Sequence, residues 1–293
     1  MSQLVLPWMR CFLIAASLVL AWPLRAGTNP TEIAAIRKAA EEGEANAQLK
    51  LGLMYAKGAG VAKDDQQAVA WFRKAAEQGE VRAQFNLGQM FADGTGVAKD
   101  GQRAATWFRK AADQGYANAQ LNLGVMYSEG VGVPKDEQKA VAWFHKAAVQ
   151  GVALAQFNLG AMNEKGVGVA KDEAQAVAWY RKAAEQGDAL AQHNLGVMLA
   201  KGVGVAKDEQ QAVTWFRRAA EQGEARAQFN LGVMNANGTG VAKDLQQAYF
   251  WLLLSSAQGH AVAVKNLDLL GQLLTTAQRA EAQDKARDWK PKR

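Results

Sequence analysis

One block of 36 residues recurs through this chain with no insertion or deletion; a representative copy is DALAQHNLGVMLAKGVGVAKDEQQAVTWFRRAAEQG, Asp188 to Gly223. The glycine that closes the block returns at Gly79, Gly115, Gly151, Gly187, Gly223 and Gly259, with an extra one ahead at Gly43. A fixed period of this length specifies a stack of small units, each burying its apolar face against its neighbours. It excludes a globule built around one central core.

Inside the block, Ala191, Leu195, Met198 and Leu199 fall on one stripe of a helix. Gly196 sits beside that stripe at a propensity cost of ~1 kcal/mol. The same glycine recurs at Gly52, Gly88, Gly124, Gly160 and Gly232, which predicts a close approach where a side chain would not fit. Gly202 then ends the helix and Gly204 turns the chain. Asp208 is a good N-cap for a second helix, with Gln211 at capping-box spacing. Gln67, Gln175 and Gln247 repeat that partner, whereas Arg103 and Lys139 replace it and are expected to lose the reciprocal bond. Ala212, Trp215, Phe216, Ala219 and Ala220 form the second apolar stripe. Each unit therefore reads as helix, tight loop, helix, and the fold class as all-α. The six units are 44–79, 80–115, 116–151, 152–187, 188–223 and 224–259.

The ends differ in kind. Residues 1–26 contain no acid, an early Arg10, an apolar run from Cys11 to Leu24 and a small residue at Ala26, the layout of a cleavable signal peptide. At about 14 residues the run is short for a membrane span of ~20; an uncleaved anchor is the alternative, and the only expected membrane link. Residues 27–43 read as an N-terminal capping helix, 260–288 as C-terminal capping helices and 289–293 as a basic tail. Localisation is expected to be exported, periplasmic or secreted from a bacterium.

The formal charge of +6 invites a nucleic-acid reading, but residues 1–26 hold +2 of it and residues 284–293 hold +3, leaving about +1 for the repeats. No basic stripe is left to follow a phosphate backbone, so nucleic acid is not an expected partner. The one cysteine, Cys11, lies in the expected signal, so the mature repeats offer no disulfide, thiol nucleophile or thiolate metal site.

The signature A-x-A-Q-x-N-L-G-x-M-[YF], G-x-G-V-x-K-D, A-x-x-W-[FY]-x-K-A-A-x-Q-G is seen at Ala117–Tyr127, Gly130–Asp136 and Ala140–Gly151. It resembles the Sel-one-like repeat family, a branch of the tetratricopeptide superfamily, over about residues 30–270. The resemblance implies a right-handed α–α superhelix, or solenoid, with half-repeat caps and a concave surface lined by the first helices. It also implies an adaptor that holds protein partners together, in secreted bacterial members at the cell envelope. A cysteine-rich branch is linked to penicillin binding or β-lactamase activity, but its cysteines are missing here.

Comparing the repeats with one another exposes the positions that vary. One column reads Asn46, Arg82, Asn118, Leu154, Leu190, Arg226; the next reads Leu49, Phe85, Leu121, Phe157, His193, Phe229; a third reads Leu53, Gln89, Val125, Ala161, Val197, Val233. If the conserved stripe faces its own second helix, these columns face away. The partner-binding residues expected from them are Arg82, Phe85, Gln89, Asn118, Leu121, Val125, Leu154, Phe157, Leu190, His193, Arg226 and Phe229. They would form a groove for an extended peptide or a partner helix, with Phe85, Phe157 and Phe229 as anchors. The other reading of those rings is packing against the next unit. Asn86, Asn122, Asn158, Asn194 and Asn230 edge the same arc, able to donate to a ligand backbone or between units.

No catalytic centre is expected. His145, His193 and His260 occupy unrelated wheel positions, the repeated Asp residues have a capping role, and the repeated Gly-x-Gly follows a helix where a phosphate loop needs a preceding strand. The sequence thus points to a non-enzymatic scaffold, with no cofactor and no metal, that binds a protein or peptide along its concave face. The alternative is a peptidoglycan- or β-lactam-binding or -processing protein.

Overall fold

The computed structural model describes residues 29–292; the expected signal segment, the first two residues of the expected N-terminal cap and the last residue of the basic tail lie outside them. Those residues form fifteen α-helices, and no strand occurs among them. A capping helix α1 (Pro30–Glu41) precedes the repeats. The first helices of the units are α2 (Ala45–Lys57), α4 (Val81–Asp93), α6 (Ala117–Glu129), α8 (Ala153–Lys165), α10 (Ala189–Lys201) and α12 (Ala225–Asn237). The second helices are α3 (Asp65–Glu77), α5 (Gly101–Asp113), α7 (Glu137–Val149), α9 (Glu173–Glu185), α11 (Glu209–Glu221) and α13 (Leu245–Ala257). Two further helices close the chain, α14 (Ala261–Leu273) and α15 (Thr276–Asp288). The architecture is an all-α solenoid of helix pairs, divided into two compact units: residues up to Ala155 with 167–169, and Gln156–Gly166 with everything from Ala170 onward.

The mid-helix glycine has a specific neighbour. A Cβ on Gly124 would lie 2.5 Å from the Phe144 ring of the same repeat, and one on Gly88 would lie 2.8 Å from Phe108. In the second unit Tyr180 and Phe216 take the same place over Gly160 and Gly196. The glycine lets an aromatic ring of the second helix settle on the bare backbone of the first, so Phe72, Phe108 and Phe144 are fully buried. Each such burial is worth roughly 2–3 kcal/mol, which outweighs the helix-propensity cost of the glycine. The loop glycine works between repeats: Gly132 packs its Cα against Gly101, where an added Cβ would meet the Gly101 carbonyl oxygen at 2.0 Å.

The second helices start as the sequence suggests but not with the bonds it suggests. Asp208 Oδ1 accepts from the Gln211 backbone N–H at 2.8 Å, yet the Gln211 side chain turns to Asp208 Oδ2 and leaves the cap's own N–H alone. That N–H is already donated to the Leu199 carbonyl, and Asp100 and Asp136 donate likewise to Phe91 and Tyr127. A reciprocal box has nothing left to satisfy there. Arg103 and Lys139 consequently lose nothing, and each forms an ion pair with its N-cap aspartate at 3.3 Å and 2.8 Å. The complete capping box occurs at Thr275 and Gln278, opening α15.

The Trp column packs under cations. Lys110 lies 4.1 Å from the Trp107 ring centre and Lys146 lies 3.9 Å from that of Trp143. Arg218 covers Trp215 at 4.6 Å in the second unit. These i,i+3 pairs bury the rings under charged heads that remain wet.

Candidate functional site: the first-helix face

Two columns of amides run along the first helices, and they differ in how far they are satisfied. Gln84 Nε2 donates to the Ala76 carbonyl at 3.1 Å, and its Oε1 accepts from Gln114 Nε2 at 2.9 Å. Gln114 also donates to the Gly79 carbonyl at 3.1 Å. The same clip joins Gln48 to Gln78 and Gln120 to Gln150 in the first unit, and Gln192 to Gln222 and Gln228 to Gln258 in the second. This staple escaped sequence reasoning. Its signal was a glutamine kept unchanged in a helical register that is otherwise apolar.

The asparagine column, two residues further on, is not satisfied. Asn86 is 1% exposed, and neither its Nδ2 nor its Oδ1 has a hydrogen-bond partner. Asn122 Nδ2 makes a long 3.4 Å bond to Gln89 Oε1, and its Oδ1 is left empty. In the second unit Asn158 has both ends empty. A buried polar group without a partner costs roughly 1–3 kcal/mol. Asn194 and Asn230 are half-exposed and are bridged by His193: Nδ1 lies 3.1 Å from Asn194 Oδ1, and Nε2 lies 3.1 Å from Asn230 Nδ2. Because an amide oxygen only accepts, the ring proton sits on Nδ1. Burial lowers the His193 pKa.

The expected anchors are largely core. Phe85 is 1% exposed, Leu121 and Val125 0%, and Phe157 2%. Phe85 packs against Tyr116 at 5.1 Å and Phe108 at 5.6 Å, and Phe157 packs against Tyr180 at 5.8 Å. Gln89 is buried and donates to Asp93 at 2.9 Å, and His193 is buried in the asparagine bridge. These six are therefore withdrawn as surface contacts. The arc opposite the conserved stripe packs against neighbouring elements, so variation there did not mean exposure. Arg82, Asn118, Leu154 and Leu190 are half-exposed, and Arg226 is exposed in an ion pair with Glu224 at 2.8 Å. Phe229 is half-buried, its ring stacked 4.6 Å from His260.

In the second unit the face opens. A cleft of 260 Å³ is lined by Val197, Ala200, Asn230, Val233 and Asn237. A second, of 270 Å³, shares Val233 and Asn237 and continues over Ala236, Asn266 and Leu269. Beyond it α14 exposes Leu269 by 64% and Leu273 by 67%. Nothing in the repeat pattern marks these leucines as exposed, because α14 reads as a degraded first helix.

Among the described residues no three His, Cys, Asp or Glu side chains gather as a metal site would need. No helix among them is long and apolar enough to cross a membrane.

The Sel1 repeat pattern matches residues 45–80, 81–116, 117–152, 153–188, 189–224 and 225–260. Among solved structures, c5321 is similar over 89% of this chain at 37% identity, with a TM-score of 0.80. It is a protective antigen present in uropathogenic Escherichia coli strains and displays the same repeat fold. The match spans 56% of that protein's length. A Sel1 repeat protein from Oxalobacter formigenes is similar at 33% identity and a TM-score of 0.68, covering 84% of this chain and 97% of that one. No curated protein matches the chain.

Proposed function

This chain belongs to the Sel1 repeat family, whose non-catalytic repeats generally serve as protein–protein interaction scaffolds, and from that premise we propose an exported adaptor of the bacterial envelope that holds a protein partner on its first-helix face. The observation that carries this reading is the open cleft from Val197 through Val233 to Leu269, whose apolar lining is interspersed with Asn230, Asn237 and Asn266 and with the charged Lys201 and Glu209. Half-exposed Phe229 and charged Arg226 stand on the same helix, α12, and supply an aromatic anchor and a charged edge. Such a mixture suits a protein surface better than a small polar substrate. Leu190 extends the face in the second unit, and Arg82, Asn118 and Leu154 are its counterparts in the first. Export is supported by the composition of residues 1–26 and by likeness to an E. coli protein that acts as an antigen.

The test places a photo-activated cross-linking residue at Val233 in cells carrying the full chain, with His145 on an exposed second helix as the control position. One discrete adduct from position 233, lost in Phe229→Ala, is the expected result. Adducts from His145 alone, or nitrocefin turnover by the purified chain, would overturn the reading. Fusing residues 1–26 to alkaline phosphatase tests export, with activity expected only if the fusion leaves the cytoplasm.

A further inference from the structure

We propose that the chain forms a two-fold dimer through α14, each copy laying the exposed face of that helix antiparallel against the same face of the other. The inference goes beyond the adaptor reading and meets it only at Leu269, the far end of the cleft. Its basis is the row of apolar side chains that α14 leaves in water. Val262 is exposed by 51%, and Leu269 and Leu273 follow it at spacings of seven and four residues, on one stripe of the helix. Single leucines scattered on a surface are ordinary, whereas a row of three on one helix marks a contact.

The packing of α14 shows why no described residue of the same chain covers this row. Ala263 and Leu270 turn the opposite face of α14 into a core shared with Ala248 and Leu252 of α13 and Ala282 of α15. The last helix, α15, packs against α13. Regular stacking by another copy is also barred. In the repeats a side chain of the second helix rests on a first-helix glycine, Phe216 on Gly196 and Leu252 on Gly232. Asp268 stands at that position in α14. A helix that tried to continue the stack head to tail would meet a carboxylate where bare backbone is needed. A closed two-fold contact needs only a surface complementary to itself.

The face of α14 is such a surface. Lys265 and Asp268 lie three residues apart, both exposed, and among the described residues neither forms an ion pair. An antiparallel copy related by a two-fold axis near Leu267 brings Lys265 of each copy to Asp268 of the other. The same register lays each Leu269 on the aliphatic stem of the other copy's Lys265, and each Leu273 on the other's Ala261 and Val262. A parallel copy would set Lys265 against Lys265 and Asp268 against Asp268, so charge selects the antiparallel arrangement. With 13 residues, α14 is about 20 Å long. One such helix pair buries less than the ~800 Å² per partner of a standard interface, so the association is weak and depends on concentration.

Sedimentation velocity of the full chain, from micromolar to sub-millimolar concentration, tests the pairing, and a monomer–dimer equilibrium is the expected result. Leu269→Arg should weaken it at least about tenfold and leave the Tm of the dilute chain unchanged, because that side chain lies mostly in water. Lys265→Glu and Asp268→Lys should each weaken it about three- to tenfold. The two exchanges together should restore it, since each charge again faces its opposite. Restoration discriminates, because an unspecific apolar contact would not produce it. A monomer at every concentration, a dimer indifferent to Leu269→Arg, species that grow beyond the dimer, or a double exchange no tighter than the single variants would each overturn the assignment. Should Leu269→Arg lower the Tm, the charge exchange at two exposed positions decides alone. A Val233 cross-link that survives Leu269→Arg reports a partner other than the second copy, so the dimer and the adaptor reading fail separately.

Discussion

The glutamine clip is present in both compact units, but its second bond is not the same in the two. Gln78 and Gln114 of the first unit grip the carbonyls of Gly43 and Gly79, at 2.9 Å and 3.1 Å. Gln222 and Gln258 of the second reach instead to carbonyls of their own helices, Arg218 and Leu254, at 3.5 Å. The first-helix face does not divide at the same place: Gln89, Leu121 and Val125 are shut in the first unit and Phe157, Ala161 and His193 are shut in the second, while Val197, Phe229 and Val233 of the last two repeats are half-open. One repeat motif thus makes a closed face and an open one, and the surface cannot be inferred from the motif alone.

The sharpest way to break this contrast is to compare equivalent rings. Phe85→Ala should cost roughly 3–5 kcal/mol, the range for removing a fully buried aromatic. Phe229→Ala, from the same column, should cost only about 1–2 kcal/mol because its site is half-open and already partly wet. Urea midpoints at constant m-value measure both. Equal losses would show that the two faces are packed alike.

The mid-helix glycine gives the next comparison. Gly124→Ala drives a Cβ to 2.5 Å from the Phe144 ring, whereas at Gly232 the nearest atom is Leu252 Cγ at 2.9 Å. A rigid ring fixed between two helices has nowhere to turn, while a leucine can change rotamer. The expected penalty is about 2–3 kcal/mol at Gly124 and about 1 kcal/mol at Gly232, again from urea midpoints.

Periodicity made the fold legible because it depends on residues whose role is local. Gly202 takes the left-handed conformation at a helix end, with φ of 71°, and Asp208 caps its helix whatever surrounds it. The partner face was legible only in part, since it depends on which arc of a helix the neighbouring repeats cover. Phe85 and Phe229 share a column and differ in exposure, and no property of the residue type distinguishes them. The unpaired state of Asn86 was equally out of reach. Asn86 and Asn230 are the same residue in the same motif, yet Asn86 is buried and empty while Asn230 is half-exposed and meets His193.

Smaller effects separate the two clips. Gln114→Ala strands Gln84 Oε1 and releases the Gly79 carbonyl, with an expected loss of about 1–2 kcal/mol. Gln222→Ala strands Gln192 Oε1 but frees no glycine carbonyl, so its loss should stay near 1 kcal/mol or less. Hydrogen exchange at the loop amides following Gly79 and Gly187 should rank the same way. Faster exchange in the second unit would be present before any mutation if the missing grip loosens the loops.

The smallest expected effect concerns the bridge that only the second unit has. His193 is held neutral by burial, with Glu224 opposing that shift and Arg226 adding to it. Asn194 and Asn230 bond its two nitrogens, and the Phe216 ring packs at 5.8 Å. Protonation would place an Nε2–H against the Asn230 amide donor, which must then flip or let go. Because the folded pKa lies below the ordinary value of 6.5, the unfolded chain takes up the proton first as pH falls. The stabilisation is therefore complete above about pH 6.5 and declines below it, towards the lowered folded pKa. His193→Phe installs the ring that Phe157 and Phe229 supply at the same position of the flanking repeats, and it removes the titration. The drop in Tm between pH 7.5 and pH 5.5 should be smaller in that variant than in the parent. An unchanged drop would assign it to other groups and remove His193 from any account of why the two faces differ.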